Sequence, residues 1–320
     1  VSLVSAVMDP EPFDVLAVEV GAPQLPFVHT VSPYSAACLN VAEDHVDFFG
    51  SFDAYREAKA RVYERTQVAC VYNSQDPETI RMVEQAEVIE GCRAIGFTLG
   101  VPGRSEVGLV DEILADRAFL DERETHALEL ATLADVRPPV PHQVANALAA
   151  AALARSYGID PRHVRDGLRG FEPAGHRIAE VGTVADVLYI DDSKATNTHA
   201  ADMSLRAYDP VVWIAGGLAK GQTFDDLVER HAGRLRAVVL LGADRGVILE
   251  ALRRHAPDVP VEEVTDTETG AMHEVVNRAA ALARPGDTVL LAPGCASWDM
   301  FTDYAARGRA FAAAVADLEA

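Results

Sequence analysis

An α/β protein built from two mostly parallel, doubly wound units is the architecture this sequence predicts. Short apolar, β-branched runs alternate with helical patterns along the whole chain, as in successive βαβ units. At 320 residues the chain is long enough for about two domains of ~150 residues each. Phe171-Glu-Pro-Ala-Gly175 follows a helical run and carries the turn-forming residues of a boundary. The expected units are therefore 1–173 and 174–320. A hydrophobic content of 49% can fill two cores and excludes a disordered or fibrous chain.

In the first unit the apolar runs predict strands at 15–20, 36–41, 68–72 and 94–99, with helices at 53–64, 79–85, 144–157 and 161–168. Residues 107–120 read as a short antiparallel addition. In the second unit the strands fall at 187–190, 211–215, 237–241 and 288–291. Helical periodicity places helices at 200–207, 224–231, 247–255, 268–283 and 298–318. Neither an internal repeat nor a low-complexity tract is present.

Charge narrows the partners. The 28 Lys and Arg against 49 Asp and Glu leave a formal net charge of −21, which repels nucleic acid and anionic membranes. An anionic ligand must then be held by locally arranged Lys, Arg or metal. Cys38, Cys70, Cys92 and Cys295 form no CxxC or zinc-like spacing, which favours a reducing, cytoplasmic setting. No apolar run approaches the ~20 residues of a membrane span. The chain starts at Val1 rather than Met, as a fragment or processed chain would.

The most informative stretch is Tyr189-Ile-Asp-Asp-Ser-Lys-Ala-Thr-Asn197. It delivers Asp191, Asp192, Ser193, Lys194, Thr196 and Asn197 at the end of an apolar strand, where open α/β sheets bind ligands. A helix cap would use the same residue types. A second polar turn, Gly216-Gly-Leu-Ala-Lys-Gly221-Gln-Thr223, follows the strand at 211–215. It imitates a phosphate loop, but Gln222 stands where that loop has its Lys. A third follows the strand at 288–291, where Ser297 is placed to cap a helix beginning at Trp298 and to offer its N–H groups to an anion. Lys194 with Thr196, Lys220 and Ser297 would thus converge on a carboxylate or phosphate.

In the first unit Glu19 ends one expected strand, and Asn40-Val-Ala-Glu-Asp-His45 follows the next. Glu19, Asp44 and His45 would suit a hard cation such as Mg²⁺, although a histidine there can equally be a cap. By chemistry alone Lys59, between Glu57 and Arg61, reads as a surface lysine. Gln143 and Asn146 share a helical face behind Pro139 and Pro141, a packing arrangement as readily as a binding one. His176-Arg177 offers a guanidinium that could clamp a phosphate.

Together these segments resemble the Mur ligase family. The carriers are Asn40-Val-Ala-Glu-Asp-His-Val-Asp47, Tyr55-Arg-Glu-Ala-Lys-Ala-Arg-Val-Tyr63, His142-Gln-Val-Ala-Asn-Ala-Leu148, His176-Arg177, Asp192-Ser-Lys-Ala-Thr-Asn197, Gly216-Gly217 with Lys220, and Cys295-Ala-Ser297. They occur in family order, cover essentially the whole chain, and have an actinobacterial character. Asp-Ser-Lys-Ala-Thr-Asn resembles the branch that adds D-glutamate. The resemblance implies a central domain and a Rossmann-like C-terminal domain of a cytoplasmic, monomeric, ATP- and Mg²⁺-dependent ligase of peptidoglycan synthesis. Such a ligase joins D-glutamate to UDP-N-acetylmuramoyl-L-alanine through an acyl phosphate.

It further implies that Glu19, His45 and a carbamylated Lys59 belong to the metal site, with Asp44 beside the substrate. Asn146, Arg177, Asp192 and Lys194 match nucleotide-contacting positions, and Thr196, Lys220, Ser297 and Tyr304 match the D-glutamate pocket. Two departures stand out. Glu19-Val-Gly-Ala-Pro-Gln24 lacks the two serines the family places after its metal-site Glu. The family's uridine-binding domain and Gly-Thr-x-Gly-Lys-Thr loop are not in this sequence, so the polypeptide alone is expected to turn over little or no substrate. A non-catalytic ligand-binding module is the alternative. A dinucleotide oxidoreductase is disfavoured, because no G-x-G-x-x-G follows any expected strand.

Overall fold

The computed structural model describes residues 3–42, 46–172, 175–266 and 268–318. The chain divides into Val1–Gly170 and Phe171–Ala320, so Phe171 opens the second unit rather than closing the first.

In the first unit the elements run α1 (Leu3–Val7), β1 (Ser35–Cys38), α2 (Val46–Phe49), α3 (Phe52–Ala60), β2 (Ala69–Asn73), α4 (Pro77–Glu84), β3 (Arg93–Phe97), β4 (Glu106–Val110), β5 (Ile113–Asp116), β6 (Leu128–Thr132), α5 (Pro141–Ser156) and α6 (Pro161–Arg169). The strands form one sheet in chain order. β1 to β4 are parallel, β5 turns back antiparallel to β4, and β6 runs antiparallel to β5. The antiparallel addition expected at 107–120 is therefore present.

Successive residues of a strand face opposite ways, and this sheet uses both faces. Val71, Ile95, Phe97, Val107 and Leu114 pack with Val144, Leu148, Ala151 and Ala152 of α5. Cys38 and Cys70 pack with Tyr55 of α3, Tyr63 just past it and Met82 of α4. The alanines of α5 let the helix lie close to the sheet. Ser51 caps α3 by accepting the Ala54 N–H at 3.2 Å, and Asp76 caps α4 by accepting the Glu78 N–H at 2.9 Å.

The second unit runs β7 (Ala179–Val184), β8 (Val187–Asp191), α7 (Thr198–Leu205), β9 (Val211–Gly216), α8 (Asp225–His231), β10 (Leu235–Leu241), α9 (Arg245–His255), β11 (Val261–Glu263), α10 (Ala271–Leu282), β12 (Thr288–Leu291) and α11 (Tyr304–Ala316). Its sheet has the order β11-β10-β9-β12-β8-β7, parallel except for β7. The chain leaves β8, builds outward through β9, β10 and β11, then returns to insert β12 between β9 and β8. That reversal sets the carboxyl ends of β8, β12 and β9 side by side at a topological switch point. Val212, Ile214, Val239, Val289 and Leu291 pack against Met272, Val276 and Phe311 beneath them.

Two expected elements differ. Residues 15–20 are an apolar, β-branched run like those of the strands, but no strand among the described residues pairs with them, and Val15, Leu16, Val18 and Val20 are exposed. An apolar run without a hydrogen-bonding neighbour does not make a strand. The last helix starts at Tyr304 rather than Trp298, because Asp303 supplies its cap by accepting the Ala306 N–H at 2.6 Å. No helix among the described residues is long and apolar enough to cross a membrane.

Candidate functional site at three strand ends

Hydrogen bonds tie the three adjacent strand ends of the second unit into one surface. The Gly216 N–H donates to the Pro293 carbonyl at 2.9 Å, and the Gly294 N–H donates to the Ala195 carbonyl at 2.9 Å. Leu218 and Ala296 exchange backbone bonds at 2.9 and 3.0 Å. Such closeness demands glycine at 216 and 217. Their φ angles are +124° and +134°, and an added Cβ would lie 2.0 Å from the Leu241 oxygen or 2.2 Å from the Ala296 oxygen.

Lys194 leaves the β8 end, and its Nζ lies 5.3 Å from the Tyr304 ring centroid. Lys220 leaves the β9 end in the left-handed region, at φ 51°, and is exposed with its Nζ 4.3 Å from the Trp298 centroid. Each cation therefore rests on a ring of the segment that follows β12. Thr196 is half-buried beside Lys194, and Ser297 is buried at the β12 end. Ser297 does not cap α11. Its carbonyl instead accepts the Met300 and Phe301 N–H groups at 3.1 and 2.8 Å, forming a turn that projects Trp298. Gln222, the residue that breaks the phosphate-loop pattern, accepts the Thr198 N–H at 2.9 Å and donates to the Ala219 carbonyl at 3.0 Å. It straps the Lys220 turn to the start of α7.

Beneath these loops lies a residue that sequence reasoning missed. Arg307 of α11 is 1% exposed. Its Nε donates to Ser193 Oγ at 2.9 Å and its Nη2 to the Ser193 carbonyl at 2.8 Å. Nη1 and Nη2 both reach the Cys295 carbonyl at 3.1 Å. One guanidinium thus holds the β8 and β12 ends together. Burial pulls it down to about 10, against the opposing pull of nearby Cys295, Asp299 and Asp191, so it remains a cation at neutral pH. The available signal was Arg307-Gly308 inside an alanine-rich helix. A Cβ at 308 would sit 2.1 Å from His176 Nδ1 and 2.6 Å from Asp191 Oδ2, so glycine there makes room for that pair.

His176 and Asp191 are hydrogen-bonded at 2.6 Å, and the His176 carbonyl accepts the Lys194 N–H at 3.1 Å. Arg177, exposed, lies between His176 at φ 65° and Ile178 at φ 47°. A buried β-branched residue in the left-handed region is strained, and here the strain accompanies an outward-held guanidinium.

Asp192 is buried and accepts the Ile178 N–H at 3.2 Å and the Ser204 hydroxyl. Burial pushes its carboxyl up to about 6; the bonds from Ser204 and Ile178 oppose this, Asp191 adds to it, and Arg177 opposes it slightly. Ser204 Oγ also bonds the Ala200 carbonyl at 3.0 Å, so its single proton faces two acceptors. A native carboxyl above its unfolded value binds the proton more tightly when folded. Its contribution is complete below about pH 4 and is lost as pH rises through about 6. Asp192→Asn should remove this dependence, changing the stability difference from wild type by roughly 3 kcal/mol between pH 4 and 7. Urea melts at both pH values check it, and parallel profiles would refute it.

Cys295 is no nucleophile, since burial pushes its thiol up to about 12. Asp244 and Asp299 brace the same surface, Asp244 Oδ2 accepting the Ala219 N–H at 2.8 Å and Asp299 Oδ2 the Ala243 N–H at 2.8 Å.

In the first unit Lys59 is half-buried and not the solvated lysine that chemistry alone suggested. Its Nζ donates to the Asn40 carbonyl at 2.9 Å and lies 5.5 Å from the Tyr55 ring centroid. That places it just past the carboxyl end of β1. Asp44 and His45 lie outside the described residues, and Glu19 is exposed in the unpaired 15–20 segment. Among the described residues no group of three or more His, Cys, Asp or Glu side chains is placed to hold a metal ion. Asn146, half-buried on α5, donates to Gln143 Oε1 at 3.1 Å, the packing interaction that a shared helical face allows.

Two domain families match this chain. The Mur ligase middle domain matches residues 1–154, and the Mur ligase glutamate ligase domain matches residues 176–295. The chain belongs to the Mur ligase family. It is 58% identical, over all of its 320 residues, to the UDP-N-acetylmuramoylalanine--D-glutamate ligase of Streptomyces coelicolor, 68% of which it covers. It is 57% identical to the protein of the same name from Leifsonia xyli, with 98% of this chain and 63% of that protein covered. Among solved structures, the UDP-N-acetylmuramate-alanine ligase MurC of Thermotoga maritima aligns with a TM-score of 0.59 at 17% identity, over 89% of this chain and 60% of that one. This likeness establishes the shared fold. The chain spans about two thirds of the length of these proteins.

Proposed function

We propose that this chain carries the catalytic and amino-acid-binding parts of an ATP- and Mg²⁺-dependent ligase that adds D-glutamate to UDP-N-acetylmuramoyl-L-alanine in cytoplasmic peptidoglycan synthesis. The observation that carries this reading is the surface where β8, β9 and β12 end together, with Lys194, Lys220 and Ser297 on three adjacent loops. A dicarboxylate amino acid needs such separated cationic and hydroxyl groups, and a net charge of −21 means that only local positive charge will attract it.

In the second unit we assign Thr196, Lys220, Ser297 and Tyr304 to D-glutamate, and Arg177, Asp192 and Lys194 to the nucleotide. In the first unit we assign Asn146 to the nucleotide, Glu19, His45 and Lys59 to the metal site, and Asp44 to the neighbourhood of the incoming amine. ATP supplies the phosphoryl group that activates the substrate carboxylate. This chain's residues neutralise charge and position the reactants, which dominate such transfers.

The test is ADP release by the protein expressed from the complete open reading frame, assayed as a monomer. ADP should require UDP-N-acetylmuramoyl-L-alanine, D-glutamate and Mg²⁺ together, and no ADP above background with all three would reject the reading. Lys220→Met should raise the D-glutamate KM by about tenfold or more, the worth of one charge-assisted bond. The KM for the UDP substrate should not change. An unaltered D-glutamate KM would remove Lys220 from the site.

A further inference from the structure

At the opposite end of the first unit's parallel strands, away from Asn40 and Lys59, lies a cleft of about 730 Å³. It forms where the amino ends of β1 and β3 meet the end of β5 and the last turn of α5. Three arginines line it, Arg93, Arg123 and Arg155, with Tyr34, Phe119 and Tyr157 as aromatic walls. Asp121 is the carboxylate on the lining.

The arginines differ in how they are engaged. Arg155 is consumed by the wall: its Nε pairs with buried Asp116 at 3.0 Å, and its Nη1 caps the Ile159 carbonyl at 2.5 Å. Arg93 donates to the Ala118 carbonyl at 2.6 Å, and its guanidinium lies 5.4 Å from the Phe119 centroid. Among the described residues neither Arg93 nor Arg123 has a carboxylate partner in ion-pair range. They are also close enough to oppose each other: burial and, secondarily, the charge of Arg123 hold the Arg93 guanidinium below its ordinary value, against the weaker opposing pull of Asp116, which Arg155 already engages. In a chain of net charge −21, two cations left facing each other in a cleft are out of keeping with the surrounding surface. Tyr34 and Tyr157 meet edge to face at 5.2 Å between centroids and are both exposed, giving the cleft an accessible aromatic side. Its volume lies within the ~300–1,000 Å³ of small-molecule sites.

We propose that this cleft binds a small dianion bearing a planar ring, of the aryl phosphate class. Arg93 and Arg123 take the anionic group as charge-assisted donors, and Tyr34, Tyr157 and Phe119 take the ring. A bound dianion relieves the repulsion between the two guanidiniums. The site is independent of the ligase reading, being built from the amino ends of strands whose carboxyl ends carry Asn40.

Phenyl phosphate is the probe, titrated by calorimetry into the protein from the complete open reading frame. It should bind saturably with one site per chain. Arg123→Gln, which removes no hydrogen bond of that side chain, should weaken it about tenfold, and Arg93→Gln with Arg123→Gln should abolish it. Tyr157→Ala should weaken phenyl phosphate while leaving inorganic phosphate unchanged. Lys220→Met, at the strand ends of the second unit, should leave binding intact. Absence of saturable binding, indifference to Arg123→Gln, or loss with Lys220→Met would each overturn the proposal. ADP release by the same preparations reports separately on the ligase reading.

Discussion

Replacing Lys59 by Ala should lower kcat for ADP release by roughly 100-fold or more, on the scale of losing a group that supports a catalytic metal. Lys59 is on α3, whose Tyr55 and Ala58 are buried against the sheet, and its amine is drawn to the Asn40 carbonyl at 2.9 Å. An ordinary surface lysine would extend into water, since fixing its chain costs up to ~2 kcal/mol of rotamer entropy. This one is held at the mouth of β1, on the carbonyl of a residue that shortly precedes Asp44 and His45 in the sequence. Carbamylation there would turn the amine into an anion. The fold should hardly notice the change to Ala, because one partly exposed hydrogen bond is worth only ~1 kcal/mol. A thermal midpoint within a few degrees of wild type, with activity lost, is the expected result. Activity within threefold of wild type would show that Lys59 has no part in turnover.

Arg307→Met should be the most damaging change in the second unit. It preserves much of the side-chain bulk but strips the donors from the Ser193 and Cys295 carbonyls, both buried. An unsatisfied buried carbonyl costs about 1–3 kcal/mol, so about 2–6 kcal/mol is expected for the pair. For a unit of this size that corresponds to a fall in melting temperature on the order of 10 °C. Because the same guanidinium joins the Lys194 and Ser297 loops, the D-glutamate KM should rise more than the KM for the UDP substrate. Arg307→Lys, which keeps the charge and fewer donors, should recover part of the midpoint and part of the KM. A midpoint within 2 °C of wild type for Arg307→Met, with both KM values unchanged, would contradict the assignment.

Much of the fold was legible because buried parallel strands are continuous apolar runs. Val187 to Ile190, Val211 to Ala215 and Thr288 to Leu291 could be read directly, and all three are strands. Their sheet order could not be read, since the insertion of β12 between β8 and β9 depends on packing of α10 and α11 and not on local pattern. The edge strands β7 and β11 were missed because half-exposed strands carry polar residues such as Glu180 and Glu262. Residues 15–20 show the opposite error, an apolar run without a partner strand.

At the site, the polar residues behind each strand were visible as an excess of charge and hydroxyl groups, and the structure joins the three loops of the second unit. Arg307 was invisible because arginine on a helix is ordinarily solvated, and only the fold reveals two carbonyl-bearing loops above it. The half-burial of Lys59 was equally hidden behind Arg56, Glu57 and Arg61, whose charges imitate a solvated face.

On the proposed function, the ends of β8, β9 and β12 hold the amino-acid substrate. A crystal structure of the protein from the complete open reading frame, soaked with D-glutamate, tests it most directly. Density for the two carboxylates within hydrogen-bonding reach of Lys220, Thr196 and Ser297 is the predicted result. D-glutamate bound elsewhere, with these three side chains untouched, would contradict it.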